Sequence, residues 1–198
     1  NVAIGNEAML DNTDGDVNVA VGPKALLRNT TGDQNVAIGA DAMLFNSTGS
    51  ENIGIGVSAL RSKSDGTGNI AIGFQSLTSL STFGDQNTAI GHRSMQNTTS
   101  GVNNVALGFE SLRLNTSGDD NIAVGHSALG SLTTANNSVA VGSSALASVT
   151  TGDDNVGIGK DALASTTTGD GNSALGFQAM ENNTLGRNNT AIGQWSLR

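Results

Sequence analysis

The segment Asn1-Val2-Ala3-Ile4-Gly5 recurs almost unchanged at Asn18, Asn35, Asn52, Asn69, Asn87, Asn104, Asn121, Ser138, Asn155, Asn172 and Asn189. Every interval is 17 residues except 69 to 87, which is 18, so the 198-residue chain holds eleven full units and ten residues of a twelfth. Positions within a unit are numbered as registers 1 to 17. Register 1 is Asn in eleven of twelve units, register 5 is always Gly, register 8 is Ala or Ser, and register 9 is Leu or Met. Residues 1–198 therefore read as one repeat array. Paired-helix repeats need about 33 residues or more and leucine-rich repeats at least 20, so 17 suits one coil of a β-solenoid.

Registers 2 and 4 are mostly Val or Ile while registers 3 and 5 are Ala or Gly, an alternation of period 2 that predicts a strand. A turn cluster follows in each unit, such as Asn29-Thr30-Thr31-Gly32-Asp33. The segment between, for example Phe109 to Asn115, reads either as a second short strand or as one helical turn. The fold class expected is all-β, a parallel solenoid of twelve coils on the order of 55–60 Å long. Stacking places each residue about 4.8 Å from its equivalent in the next coil. Register 1 then forms an amide ladder of Asn1, Asn18, Asn35, Asn52, Asn69, Asn87, Asn104, Asn121, Asn155, Asn172 and Asn189.

Hydrophobicity puts registers 2, 4 and 9 inside the coil, which turns Ala3 and Gly5 and their equivalents outward. An outward face of only Ala and Gly reads as packed against another backbone, and a homotrimer about a common axis is the economical solution. The competing reading is a flattened coil with Ala and Gly inside, where space is tightest.

The remaining composition narrows the function classes. A net charge of −8 with only nine Lys and Arg argues against nucleic acid. No apolar run approaches 18 residues, so no membrane insertion is expected of this segment. No Ser/His/Asp or paired-carboxylate arrangement departs from the repeat, and no enzyme activity or cofactor is expected. Gly54-Ile55-Gly56 and Gly157-Ile158-Gly159 are register 3 Ala replaced by Gly rather than phosphate loops.

Register 7 alternates in charge, with Lys24 between Glu7 and Asp41 and Arg93 beside Glu110, and is expected to face water. Register 16 instead sets Asp16 beside Asp33 and Asp153 beside Asp170, which calls for solvated turns or a bound cation. Calcium at the Gly-Asp turns is a minor alternative. Register 6 carries Phe74, His92, Phe109 and His126, a candidate surface-binding stripe for a sugar or a partner. Sequons begin at Asn29, Asn46, Asn97, Asn115, Asn136, Asn182 and Asn188. The extra residue of the fifth unit, between Leu77 and Gly84, is expected to bulge out. Ala135 replaces the turn glycine of the eighth unit, so that backbone position is not expected to need a positive φ.

The pattern Asn-x-Ala-Ile-Gly-x-x-Ala-Leu-x-x-Asn-Thr-Thr-Gly, as in Asn18 to Gly32, resembles arrays in phage-type tail-fibre and bacterial tail-fibre-domain proteins. Its Ala-Ile-Gly core is also similar to the shorter head repeats of trimeric autotransporter adhesins. The resemblance implies a trimeric fibre shaft or adhesive head, extracellular, on a cell surface or on a virion, with a glycan or protein receptor as partner. The unit of 17 is longer than the adhesin's, so coil shape and handedness do not carry over. The array also stops within a unit, as a segment of a longer fibre would. Two alternatives stand beside it: a laterally assembling filament without receptor specificity, and an ice-binding solenoid built on the partial column Thr13, Thr30, Thr99, Thr116, Thr133, Thr150 and Thr167.

Overall fold

The computed structural model describes residues 1–62, 65–81 and 84–197. Each unit contributes one strand of three residues at registers 2 to 4, from β1 (Val2–Ile4) through β6 (Thr88–Ile90) to β12 (Thr190–Ile192). The twelve strands form one parallel sheet in sequence order, each pairing in register with its neighbours, as in Val2 with Val19 and Ile4 with Val21. The chain is a β-solenoid of 17-residue coils. Eleven spacings of about 4.8 Å give the sheet a length of roughly 53 Å.

The strand faces the opposite way from the hydrophobic expectation. Register 3 is inside: Ala20, Ala37, Ala71, Ala89, Ala106, Ala123 and Ala140 are fully buried. Registers 2 and 4 point outward, and Ile38, Ile90, Ile158 and Leu175 are each more than a third exposed. The reason is width. Register 9 fills the interior with one large side chain per coil, Leu26, Met43, Leu60 and so on to Met180. The facing wall is held to Ala or Gly, and opposite Met43 even an Ala Cβ is too much: one added to Gly54 would come within 2.7 Å of Met43 Cγ.

The segment between strand and turn cluster is neither a second strand nor a helix. Its backbone alternates in hand: Glu110 and Leu112 have φ of 53° and 48°, as registers 7 and 9 do in coil after coil. Left-handed residues break a helix, and the amides bond to neighbouring coils instead. Lys24 N–H donates to Asn6 O, Met9 N–H to Ala25 O and Asp11 N–H to Leu27 O, at 2.8 to 3.0 Å. Bonds within the coil are short turns, such as Ala8 N–H to Gly5 O and Asn12 N–H to Met9 O. Register 6 sits between two donating amides, and the single proline, Pro23, occupies it.

Register 17 is left-handed as well, and Asn103, Asp120, Asn137, Asp154 and Asn188 suit it. Val17 does not: it is β-branched, has a φ of 58° and is 70 % exposed. Val17→Asn is expected to stabilise the first two coils by about 0.5–1 kcal/mol, because a left-handed Cβ costs about 1–2 kcal/mol and Asn recovers part of it. Slower hydrogen exchange at the Asp16 and Asn18 amides would register the gain; unchanged exchange would contradict it.

The inserted residue of the fifth unit is located by its neighbours. Leu80 is buried at register 12, and Ser81 N–H and hydroxyl both reach Thr99 O, the bond made at register 13 in other coils. The surplus falls between Ser81 and Gly84, and the expected bulge lies outside the described residues.

Candidate interaction surfaces

Four side-chain ladders fix the coils before any surface is presented. In register 1, Asn18 Oδ1 accepts from Asn35 N–H at 2.9 Å, while Asn18 Nδ2 donates to Gly32 O at 2.8 Å. The same pair of bonds recurs up the column, so the expected ladder is present as amide-to-backbone stapling, with Asn104 Nδ2 to Asn87 Oδ1 contacts at 3.1 Å besides. Ser138 keeps half of this role. Its hydroxyl accepts from Asn155 N–H at 3.3 Å but is too short for Gly152 O, to which Asn155 Nδ2 donates at 3.2 Å.

Register 12 is a second Asn column, not anticipated from the sequence. Asn29 Nδ2 donates to Asn12 Oδ1 at 2.6 Å and to Gly32 O at 2.9 Å. In sequence it is Asn followed three residues later by Gly at Asn12, Asn29, Asn46, Asn115 and Asn183; Leu80, Thr98, Leu132, Val149 and Thr166 stand in the same register, and all of these but Leu132 keep the glycine. Ala135 has no positive φ, as expected, and neither do the glycines described at that register. In register 13, the Thr13 hydroxyl donates to Thr30 O at 2.9 Å and the Thr116 hydroxyl to Thr133 O at 2.9 Å.

Register 16 explains the stacked aspartates. Asp16 N–H donates to Asp33 Oδ1 at 2.7 Å, Val102 N–H to Asp119 Oδ1 at 2.8 Å and Asn136 N–H to Asp153 Oδ1 at 2.7 Å. Each carboxylate serves the amide of the preceding coil, so Asp recurs there as a hydrogen-bond acceptor. Among the described residues no three His, Cys, Asp or Glu side chains converge as a metal site would require. In register 7, Lys24 Nζ lies 3.9 Å from Glu7 Oε2 and Arg93 Nη1 lies 3.8 Å from Glu110 Oε1, on the water side as expected. Such half-exposed pairs contribute little to stability.

Two surfaces are left over. The first is the outer face of the sheet. Of its 24 residues at registers 2 and 4, all but Thr88, Ser173 and Thr190 are Val, Ile or Leu, and none is charged. It carries an apolar depression of about 220 Å³ bordered by Val156, Ile158, Ser173, Leu175 and Ile192. Contiguous apolar patches of more than a few hundred Å² are uncommon on monomers. The second is register 6. Phe74, His92, Phe109 and His126 stack with ring centroids 5.2 Å apart and interplanar angles of 21°, 10° and 6°. The ring faces are turned on one another, so the four rings do not present a row of free faces on which sugar rings could lie flat.

The sequons divide by register. Asn29, Asn46 and Asn115 are fully buried with Nδ2 bonded in the register 12 column, whereas Asn182 and Asn188 are exposed. No protein-family model matches this chain, and neither a curated protein nor a solved structure does.

Proposed function

We propose that this chain is a length of structural fibre shaft, a rigid rod that sets distance and carries an attachment function at a cell surface or on a virion. The observation that carries the reading is the unbroken parallel sheet, in which twelve coils stack without a change of register. Among the described residues backbone bonds join each coil to its neighbours at the strand, at the segment after it and at the turn cluster. Copies of the chain packed about a common axis belong to this reading. They would meet through the Val and Ile rows, which face outward, and not through the Ala column, which is interior. The threonine column does not favour ice binding, because its hydroxyls already donate to neighbouring carbonyls.

A shaft should be modular in length. Removing residues 104–137, which are two coils, joins Asn103 to Ser138 in the original register. Small-angle scattering should show a folded rod shorter by about 10 Å, two coil spacings. A shortened chain that does not fold, or whose length does not fall, would overturn the shaft reading.

A further inference from the structure

We infer that the apolar sheet face is covered by further copies of this chain, lying parallel and with equal coils level, and that the residues bordering each strand set that alignment. The inference rests on the shaft reading and names what covers the face.

Each strand is bordered before by a register 17 residue and after by a register 6 residue, six positions later. An extended chain keeps such residues up to about 20 Å apart, so they have no reason to match within one chain. They match nonetheless. Asp154 borders β10 (Val156–Ile158) on one side and Lys160 on the other; Asp120 and His126 do the same around β8 (Ile122–Val124). The two glycines of the register 17 column, Gly68 and Gly171, are paired with Phe74 and Phe177. None of the other seven pairs sets like charges together.

Parallel copies give these pairs a meaning. When the sheet faces of parallel rods meet, the register 17 border of one chain lies against the register 6 border of the next at the same height. Asp154 then meets Lys160, Asp120 meets His126, and the Phe rings lie over glycines. At Gly171 the neighbouring Ser173 is small as well and borders the depression, leaving room for a Phe177 ring from the adjacent copy.

Other alignments lose the matches. A slip of one coil in one sense puts Glu51 on Phe74 and Asp154 on Phe177, and in the other it puts Asp120 on Phe109. Antiparallel rods would set register 17, whose only charges are Glu51, Asp120 and Asp154, against itself. The footprint is sufficient: roughly 53 Å of sheet by about 20 Å of width is on the order of 1,000 Å², and stable interfaces bury about 800 Å² per partner.

The chain contains no cysteine, so introduced thiols report cleanly. Asn137→Cys with Ser143→Cys places two thiols across β9 (Val139–Val141), too far apart within one chain for a bond that needs Cα atoms within about 7 Å. Oxidation at micromolar concentration should give covalent closed oligomers on denaturing gels, reversed by reductant, whose size counts the chains. Asn137→Cys with Gln194→Cys, three coils out of level, should not. In the cysteine-free chain, Asp154→Lys and Lys160→Asp should each weaken association in sedimentation about tenfold, and the double exchange should restore it. A parent chain that sediments as a 19.9 kDa monomer, or equal cross-linking of the two cysteine pairs, would overturn the inference. Scattering on the same samples separates the readings: a monomeric rod leaves the shaft standing and removes this inference, whereas a compact particle removes both.

Discussion

Asn121→Ala is expected to destabilise the array by about 3–5 kcal/mol and to do so at one seam. Asn121 is fully buried, accepts from Ser138 N–H at 3.0 Å and donates to Ala135 O at 2.8 Å. Leaving a buried polar group without its partner costs about 1–3 kcal/mol, and the substitution strands two. Ala135 O has no second side-chain donor among the described residues, because register 12 of that coil is Leu132. Asn104→Ala is the internal comparison: Gly118 O would keep Asn115 Nδ2 at 3.0 Å, so the loss should be smaller by about 1 kcal/mol. Asn121→Ser should fall between wild type and Ala, since Ser138 shows that a hydroxyl can still accept the next amide. Chemical denaturation of the three variants gives the order, and an Asn121→Ala chain as stable as Asn104→Ala would refute the ladder's energetic role.

Gly108→Ala should be more damaging still. A Cβ there would lie 2.5 Å from Gly125 O and 2.8 Å from its carbonyl carbon, on a backbone with φ of +143°. Neither atom is the end of a flexible side chain, so coils seven and eight must separate. The expected cost exceeds about 4 kcal/mol, the range reserved for core disruption and special backbone positions. Because each coil touches only its neighbours, the chain should melt as two shorter arrays rather than weaken uniformly. Gly193→Ala isolates the dihedral contribution, since nothing lies within 4 Å of its added Cβ and its φ is +114°. Calorimetry should resolve a second transition for Gly108→Ala and a small shift for Gly193→Ala. Equal effects would mean that conformation, not collision, keeps register 5 glycine in every unit.

The period, the parallel stacking and the first Asn ladder were legible because each depends only on what repeats. The orientation of the strand was misjudged because hydrophobicity was ranked above invariance. Registers 2 and 4 accept Thr88, Ser173 and Thr190, while register 3 never departs from Ala or Gly. Intolerance of size marked the interior better than apolarity did. The stacked aspartates lie in solvent-accessible turns, as their charge suggests, but what makes Asp recur there is the need for an oxygen one coil along, which Asn136 also supplies. The left-handed turns at registers 7 and 9 had no signature, since Glu110, Lys24 and Leu112 are not residues that favour that region. There the conformation is imposed by inter-coil bonds and by the burial of register 9.

The direction of the inter-coil bonds has a mechanical consequence. They run along the rod, whereas the covalent chain runs around it. Sideways load is shared by a whole belt of bonds and by the interior leucine column. Tension between the two termini instead falls on one seam at a time and peels coils from an end. Each coil would release about 17 residues of contour, roughly 55–60 Å, for the loss of one 4.8 Å rise. Such a rod is stiff as a spacer and yields stepwise as a tether, with each step taking up work while the rest of the length stays intact.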